Sequence, residues 1–237
     1  MLQSTPVENS RLKTYALTTA KELSPCGKHG LGRVRSGLKR NLELIRRCFI
    51  RVSRFSRSED FLPREMEWLL DNRYIAEREG RATLHILKEI PRLRTSGRLP
   101  VAYSLAAAMA KAGEITPERL KIFLEGAQEV LPLNEDELNA FIPMLKVALV
   151  DKVARCCEGI NDYFDSIGEA HSLRAAEASL RRAEAEGVKI SDKVRKNAEA
   201  ARQYHDKLTN IISHAIEALR LFSTLDVSQL LRQVDLL

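Results

Sequence analysis

Apolar positions in this chain recur at helical spacing far more often than in alternation. Leu38, Leu42, Ile45, Phe49, Val52 and then Phe55 or Ser56 step by fours and threes, which places them on one stripe of a helix over about 33–57. Lys39, Arg40, Arg46, Arg47, Arg51 and Arg54 fill the rest of that surface, so the element reads as a basic amphipathic helix. Ahead of it the pattern predicts a short helix over 12–23. A loop is expected over 24–32, where Pro25, Gly27, Gly30 and Gly32 cluster.

The later segments carry start and stop signals. A helix is expected after Phe61-Leu62-Pro63, with Pro63 in its first turn and Glu65 and Glu67 near the positive end of its dipole. Met66, Leu69, Leu70 and Ile75 form its apolar face. A further helix over 82–89 stops before Pro91, although 84–90 is the one run where a strand is worth weighing. Thr95-Ser96-Gly97 reads as a loop, and an Ala-rich helix over 102–112 closes at Gly113. Thr116-Pro117-Glu118 offers an N-cap, a proline at the first helical position and an acid in the first turn of a helix to about Val130. Asn134 and Glu137 have the spacing of a capping box, opening a helix to about Glu158 in which Pro143 predicts a kink. A separate polar helix over 175–186 is expected to end at Gly187. Ser191 is placed to cap a long helix whose stripe runs through Val194, Ala198, Ala201, Leu208, Ile211, Ile212, Ala215, Leu219 and Phe222. Asp226 is placed to cap a last short one. No tandem repeat of constant period is visible.

The expected fold class is all-α, an irregular multi-helix bundle of about eight helices. Two regions are expected: a basic N-terminal segment with the amphipathic helix (1–60) and a helical bundle domain (61–237).

Composition agrees. The 237 residues include only 11 Gly and 8 Pro, against roughly 7% and 5% in average usage. Too few turn-formers are present for a many-stranded sandwich or barrel. Charge adds an asymmetry: the formal net charge is +6, with +8 in residues 1–60 and −2 in the remainder. Any anionic partner, whether a membrane surface or nucleic acid, would therefore meet the first quarter of the chain, with Arg40, Arg47, Arg51 and Arg54 as the anion-facing candidates. The alternative use of the same helix is to dock its apolar stripe on the domain. Cys26, Cys48, Cys156 and Cys157 form neither a disulfide framework nor a zinc pattern, which points to reduced thiols and a cytoplasmic setting. No run of about 18 apolar residues exists to span a membrane.

Catalytic signatures are absent. There is no GxGxxG, no P-loop and no GxSxG, and Gly27 to Gly32 lacks the phosphate-loop spacing. His214 and Glu217 share a helix face, but a metal centre needs matching ligands on other helices. No cofactor, metal or catalytic residue is expected. One segment is richer than packing requires: Trp68, Asp71, Asn72 and Tyr74 lie together, and with Tyr103 they form the candidate partner-facing or glycan-facing set. The competing reading of Trp68–Tyr74 is a helix end with an aromatic anchor and a polar exit.

That segment opens a resemblance. The stretches EWLLDNRYI (67–75), LPVAYSLA (99–106), LPLNEDEL (131–138) with IPML (142–145) and ALV (148–150), and NIIS (210–213) with LRLFS (219–223) and Asp226 occur in ordered succession. In order and spacing, over about 60–237, the chain resembles the N-terminal helical region of cyclic β-1,2-glucan synthase-like proteins. These are very large proteins that carry glycosyltransferase 36-type and glycoside hydrolase family 94 phosphorylase-type domains. No stretch resembles those catalytic domains or the family's membrane-spanning segments, and Val227 stands where an aromatic is expected. The resemblance implies a non-catalytic accessory module, a fragment of such an enzyme. Its partners would be the catalytic domains of a larger glucan-synthesising or phosphorolytic protein, with β-glucan as a further ligand. The alternative expectation is a stand-alone helical binding module that uses the basic helix on anionic membrane or nucleic acid.

Overall fold

The computed structural model describes residues 7–58, 64–186, 192–225 and 227–235. Among them are nine helices and one small three-stranded sheet, so the fold is a mostly helical, irregular multi-helix bundle. In chain order the elements are α1 (Asn9–Lys21), β1 (Pro25–His29), α2 (Gly32–Ser58), α3 (Arg64–Asp71), α4 (Tyr74–Glu89), β2 (Leu93–Ser96) and β3 (Leu99–Pro100). They continue with α5 (Val101–Lys111), α6 (Pro117–Gln128), α7 (Glu135–Glu186), α8 (Asp192–Thr224) and α9 (Val227–Asp235).

The long helix α7 is the axis of the bundle. Its apolar residues Phe141, Ile142, Met144, Leu145, Leu149, Val153 and Ile160 are buried, and α2, α4, α5 and α8 all pack against it. The expectation of a separate helix over 175–186 is corrected: α7 runs unbroken for 52 residues and passes through Pro143. A proline inside a helix costs about 3 kcal/mol. Side chains buried on both sides of Pro143, from Phe141 to Leu149, offset it.

The capping box opens α7 as its spacing predicts. The Glu137 backbone N–H donates to Asn134 Oδ1 at 3.0 Å, and the Asn134 N–H donates to the Glu137 carboxylate at 3.1 Å. In α6, Thr116 Oγ1 accepts from the Arg119 N–H at 3.3 Å, with Pro117 at the first helical position. Gly113 follows α5 with a φ of +105°, in the left-handed region that glycine enters freely.

The stripe of α2 lies where its period places it: Leu38, Ile45, Phe49 and Val52 are buried against the body of the protein, Leu42 is partly buried against it, and Cys48 is buried beside them. The side chain of Phe55 lies outside the described residues, as do Phe61, Leu62, Pro63, Gly187, Ser191 and Asp226 and the side chains of Val194, Ala198 and Ala201. On α8 the described part of the stripe, from Leu208 to Phe222, is buried and packs along α7.

The helix expected over 82–89 is the end of α4, and the strand weighed over 84–90 does not form: Ala76, Gly80, Thr83 and Leu87 step by four and three into the core. One local expectation is overturned. Within 24–32, the expected loop, lies β1, which pairs antiparallel with β2, while β2 pairs with β3 across a two-residue turn. In that turn Gly97 takes a φ of +61° and Arg98 does not have a positive φ, the arrangement that suits the twist of a hairpin. At Cys26–Lys28 the register slips by one residue, and Gly27, at φ +36°, is the extra residue of the bulge. Every residue of β1 is exposed, so it has no buried face to print an alternation on the sequence.

Two buried charged side chains fasten distant parts of the chain. Glu137 is 0% exposed; its Oε1 accepts from Arg94 Nε at 2.8 Å, and its Oε2 accepts from Arg94 Nη2. This joins β2 to the start of α7, and the carboxylate holds the Arg94 guanidinium more firmly protonated. Arg119 donates to the carbonyls of Glu114, Val7 and Ala112 at 2.9, 3.0 and 2.9 Å and to Asn9 Oδ1. It thereby holds the beginning of α1 onto the turn between α5 and α6.

Candidate functional site

The segment 67–75 spans the end of α3 and the start of α4, and its polar residues are used locally. The Asn72 side chain donates to the Trp68 carbonyl at 2.8 Å, and the Asn72 backbone N–H reaches the same oxygen at 3.1 Å. Asn72 thus closes α3, while Asp71 is exposed at its last position. Trp68 is half-buried against the core, and the Arg220 guanidinium of α8 lies 5.4 Å from its ring centroid. That is cation–π distance, and it joins α3 to α8. Tyr74 is 55% exposed with Arg78 over its ring at 5.8 Å.

Tyr103 belongs to a different contact. Its hydroxyl donates to Asp151 Oδ2, and Asn41 Nδ2 donates to Asp151 Oδ1 at 2.6 Å, so one carboxylate ties α5, α7 and α2 together. Burial, reinforced by Asp151, raises the Tyr103 hydroxyl well above the usual phenol range, which keeps it a protonated donor. Trp68, Tyr74 and Tyr103 share no hydrogen bond or ring contact among the described residues. The five candidates therefore act in three separate places.

The arginines of α2 divide in two. Arg47 and Arg46 both bind Glu43, at 2.8 and 2.9 Å, and together they hold that carboxyl down at about 2. Arg51 binds Asp165 at 2.7 Å and sits over the Phe164 ring at 5.3 Å. Arg40 and Arg54 are exposed and make no ion pair among the described residues. Since the apolar stripe of α2 is buried in the core, what this helix offers to an outside partner is its charged face.

A surface cleft of about 430 Å³ lies where α2 meets the start of α4. It is lined by Arg46, Phe49, Ile50, Ser53, Arg54, Arg73 and Glu77. Of these, only Arg54 was a candidate from sequence. Arg73 follows α3 with its guanidinium 3.4 Å from the Leu70 carbonyl, and it makes no ion pair among the described residues. Ile50 is 40% exposed there. The signal that points to this place is the departure of Ile50 from the buried stripe.

A second cleft, about 530 Å³, runs between Gly113–Glu114 and the face of α8 that carries Ser213, Glu217, Arg220 and Thr224. At its edge Glu217 accepts from Lys152 Nζ at 3.4 Å and lies 3.5 Å from His214 Nδ1. His214 and Glu217 thus meet an ammonium group from α7, and this cluster joins α7 to α8. No group of three His, Cys, Asp or Glu side chains able to hold a metal occurs among the described residues. Cys48, Cys156 and Cys157 are buried free thiols. Burial pushes Cys156 up to about 11, and Cys157 is raised by its hydrogen bond to Cys48 and by burial. Thiols shifted in this direction are poor nucleophiles.

No protein-family model matches the chain, and no curated protein matches it. No helix among the described residues is long and apolar enough to cross a membrane.

Proposed function

We propose that the chain is a non-catalytic helical accessory module of a cyclic β-1,2-glucan synthase-like enzyme, which positions catalytic domains by helix packing. The observation that supports this reading is what the residues of the resemblance do in the fold. Trp68 of the first stretch meets Arg220 of the last; Tyr103 of the second binds Asp151, next to Val150 of the third; Asn134 and Glu137 form the cap of α7. All of them serve as packing or capping groups within one body, the use expected of a scaffold rather than of a reactive centre. Four free cysteines fit a reducing, cytoplasmic setting.

The test is reconstitution. The purified chain is mixed with separately expressed catalytic domains of such an enzyme and followed by size-exclusion chromatography and glucan synthesis. Co-elution with raised synthesis is expected, and no turnover by the chain alone. Extension or phosphorolysis of β-glucan by the isolated chain, or separate elution of the components, overturns the reading. Calorimetric titration with β-1,2-linked oligosaccharides asks whether glucan is itself a ligand.

A second reading, a stand-alone module for anionic membrane or nucleic acid, draws on α2, which carries nine Lys and Arg against one Glu. Affinity that falls steeply with salt for duplex DNA or anionic vesicles supports it, because displaced counterions carry that dependence.

A further inference from the structure

We infer that the α2–α4 cleft is a docking surface for an acidic amphipathic peptide segment of a protein partner; the inference rests on the accessory-module reading and names the surface that module would use. Two guanidiniums there, on Arg54 and Arg73, make no ion pair among the described residues; the carboxylate in the cleft, Glu77, is paired with Arg81, and an exposed isoleucine lies beside them. Arg46, in the same cleft, is paired with Glu43, and Arg47 and Arg51 also have carboxylate partners, while the unpaired Arg40 of α2 lies outside the cleft. A planar guanidinium matches a carboxylate in a two-pronged geometry, so a Glu or Asp from outside completes what the fold leaves open. Ile50 and the Ser53 hydroxyl lie in the same cleft, the first offering an aliphatic contact and the second a hydrogen bond. Acidic residues beside aliphatic ones on one helical face satisfy all of these groups together, which is recognition of a helix in a groove.

The competing polyanions fit less well. A lipid surface would draw on the whole charged face of α2, Lys39 and Arg40 included, rather than on two guanidiniums beside an isoleucine in a cleft. A phosphate backbone would occupy Arg54 and Arg73 but leave the exposed Ile50 without an apolar partner. It would also find no free stacking platform in the cleft, since Phe49 is buried.

The experiment uses the full chain and a fluorescein-labelled helical peptide with leucine and glutamate side by side on one face, read by anisotropy. A peptide of the same composition with its leucines scattered is the control. Arg54→Glu/Arg73→Glu is expected to weaken binding at least about tenfold, while Lys39→Glu/Arg40→Glu, the same charge change elsewhere on α2, weakens it less than about threefold. Ile50→Ser is expected to weaken it about fivefold. Circular dichroism of each variant confirms the fold; all five substituted side chains are exposed. Equal losses in the two charge-reversed pairs, equal affinity for both peptides, or tighter Arg54- and Arg73-dependent binding of duplex DNA or phosphatidylserine vesicles overturns the inference. A complex with the catalytic domains that survives Arg54→Glu/Arg73→Glu overturns it too, while leaving the proposed function standing. Peptide binding that behaves as expected in a chain that ignores those domains does the reverse.

Discussion

Arginine does two kinds of work in this molecule. Arg94 and Arg119 reach into the interior and fasten segments far apart in sequence, whereas Arg46 and Arg47 of α2 lie on a water-facing surface and bind Glu43, three and four residues away. The chemistry of the side chain is the same; the dielectric around it is not. A buried carboxylate that loses its guanidinium is stranded without water, while an exposed one is resolvated. The number of ion pairs is therefore a poor guide to what holds the bundle together.

That contrast can be broken experimentally. Removing one member of the buried pair should cost most: Arg94→Ala strands the 0% exposed Glu137 carboxylate and should lower unfolding free energy by about 3–5 kcal/mol in urea titration. Arg119→Met leaves the carbonyls of Glu114, Val7 and Ala112 short of a donor and should cost about 2 kcal/mol by the same measurement. Thr116→Ala, at the cap beside that clamp, should cost about 1 kcal/mol.

The smallest effect belongs to the surface. Glu43→Gln should lower the thermal midpoint only slightly at neutral pH, because the pair it breaks is exposed to water. Its folded carboxyl titrates at about 2 against an ordinary 4.5. Any contribution is therefore complete above 4.5 and is lost as pH falls through about 2. NMR titration of the Glu43 side chain should place its midpoint near 2, and a midpoint near 4.5 would show that the two arginines do not hold it.

What could be read from sequence follows the same division between near and far. The caps at Thr116 and Asn134–Glu137 and the stripe of α2 depend on residues three and four apart, and they appear as their spacing predicts. The strand β1 depends on partners some seventy residues later, and Gly27 suits a bulge as well as a loop, so its composition alone could not reveal it. The unbroken course of α7 was hidden for another reason: its apolar stripe was legible through Pro143 to about Glu158, but the run 175–186 is polar, so no stripe tied it to the same helix. Glu137 was legible as a cap but not as the partner of Arg94. The candidate arginines were chosen by charge, and only Arg54 of the four lines the cleft. Arg73, contributed by the turn after α3, carries no mark in the sequence that it shares a surface with α2.

The clamp at Arg119 has a consequence for synthesis. Helix α1 is synthesised well before the groups that receive it: Ala112 and Arg119 are made about a hundred residues later. Leu12, Ala16 and Ala20 must therefore travel uncovered on the nascent chain until α6 has cleared the exit tunnel. Over that interval the growing polypeptide carries an uncovered apolar face, a stretch a chaperone would bind.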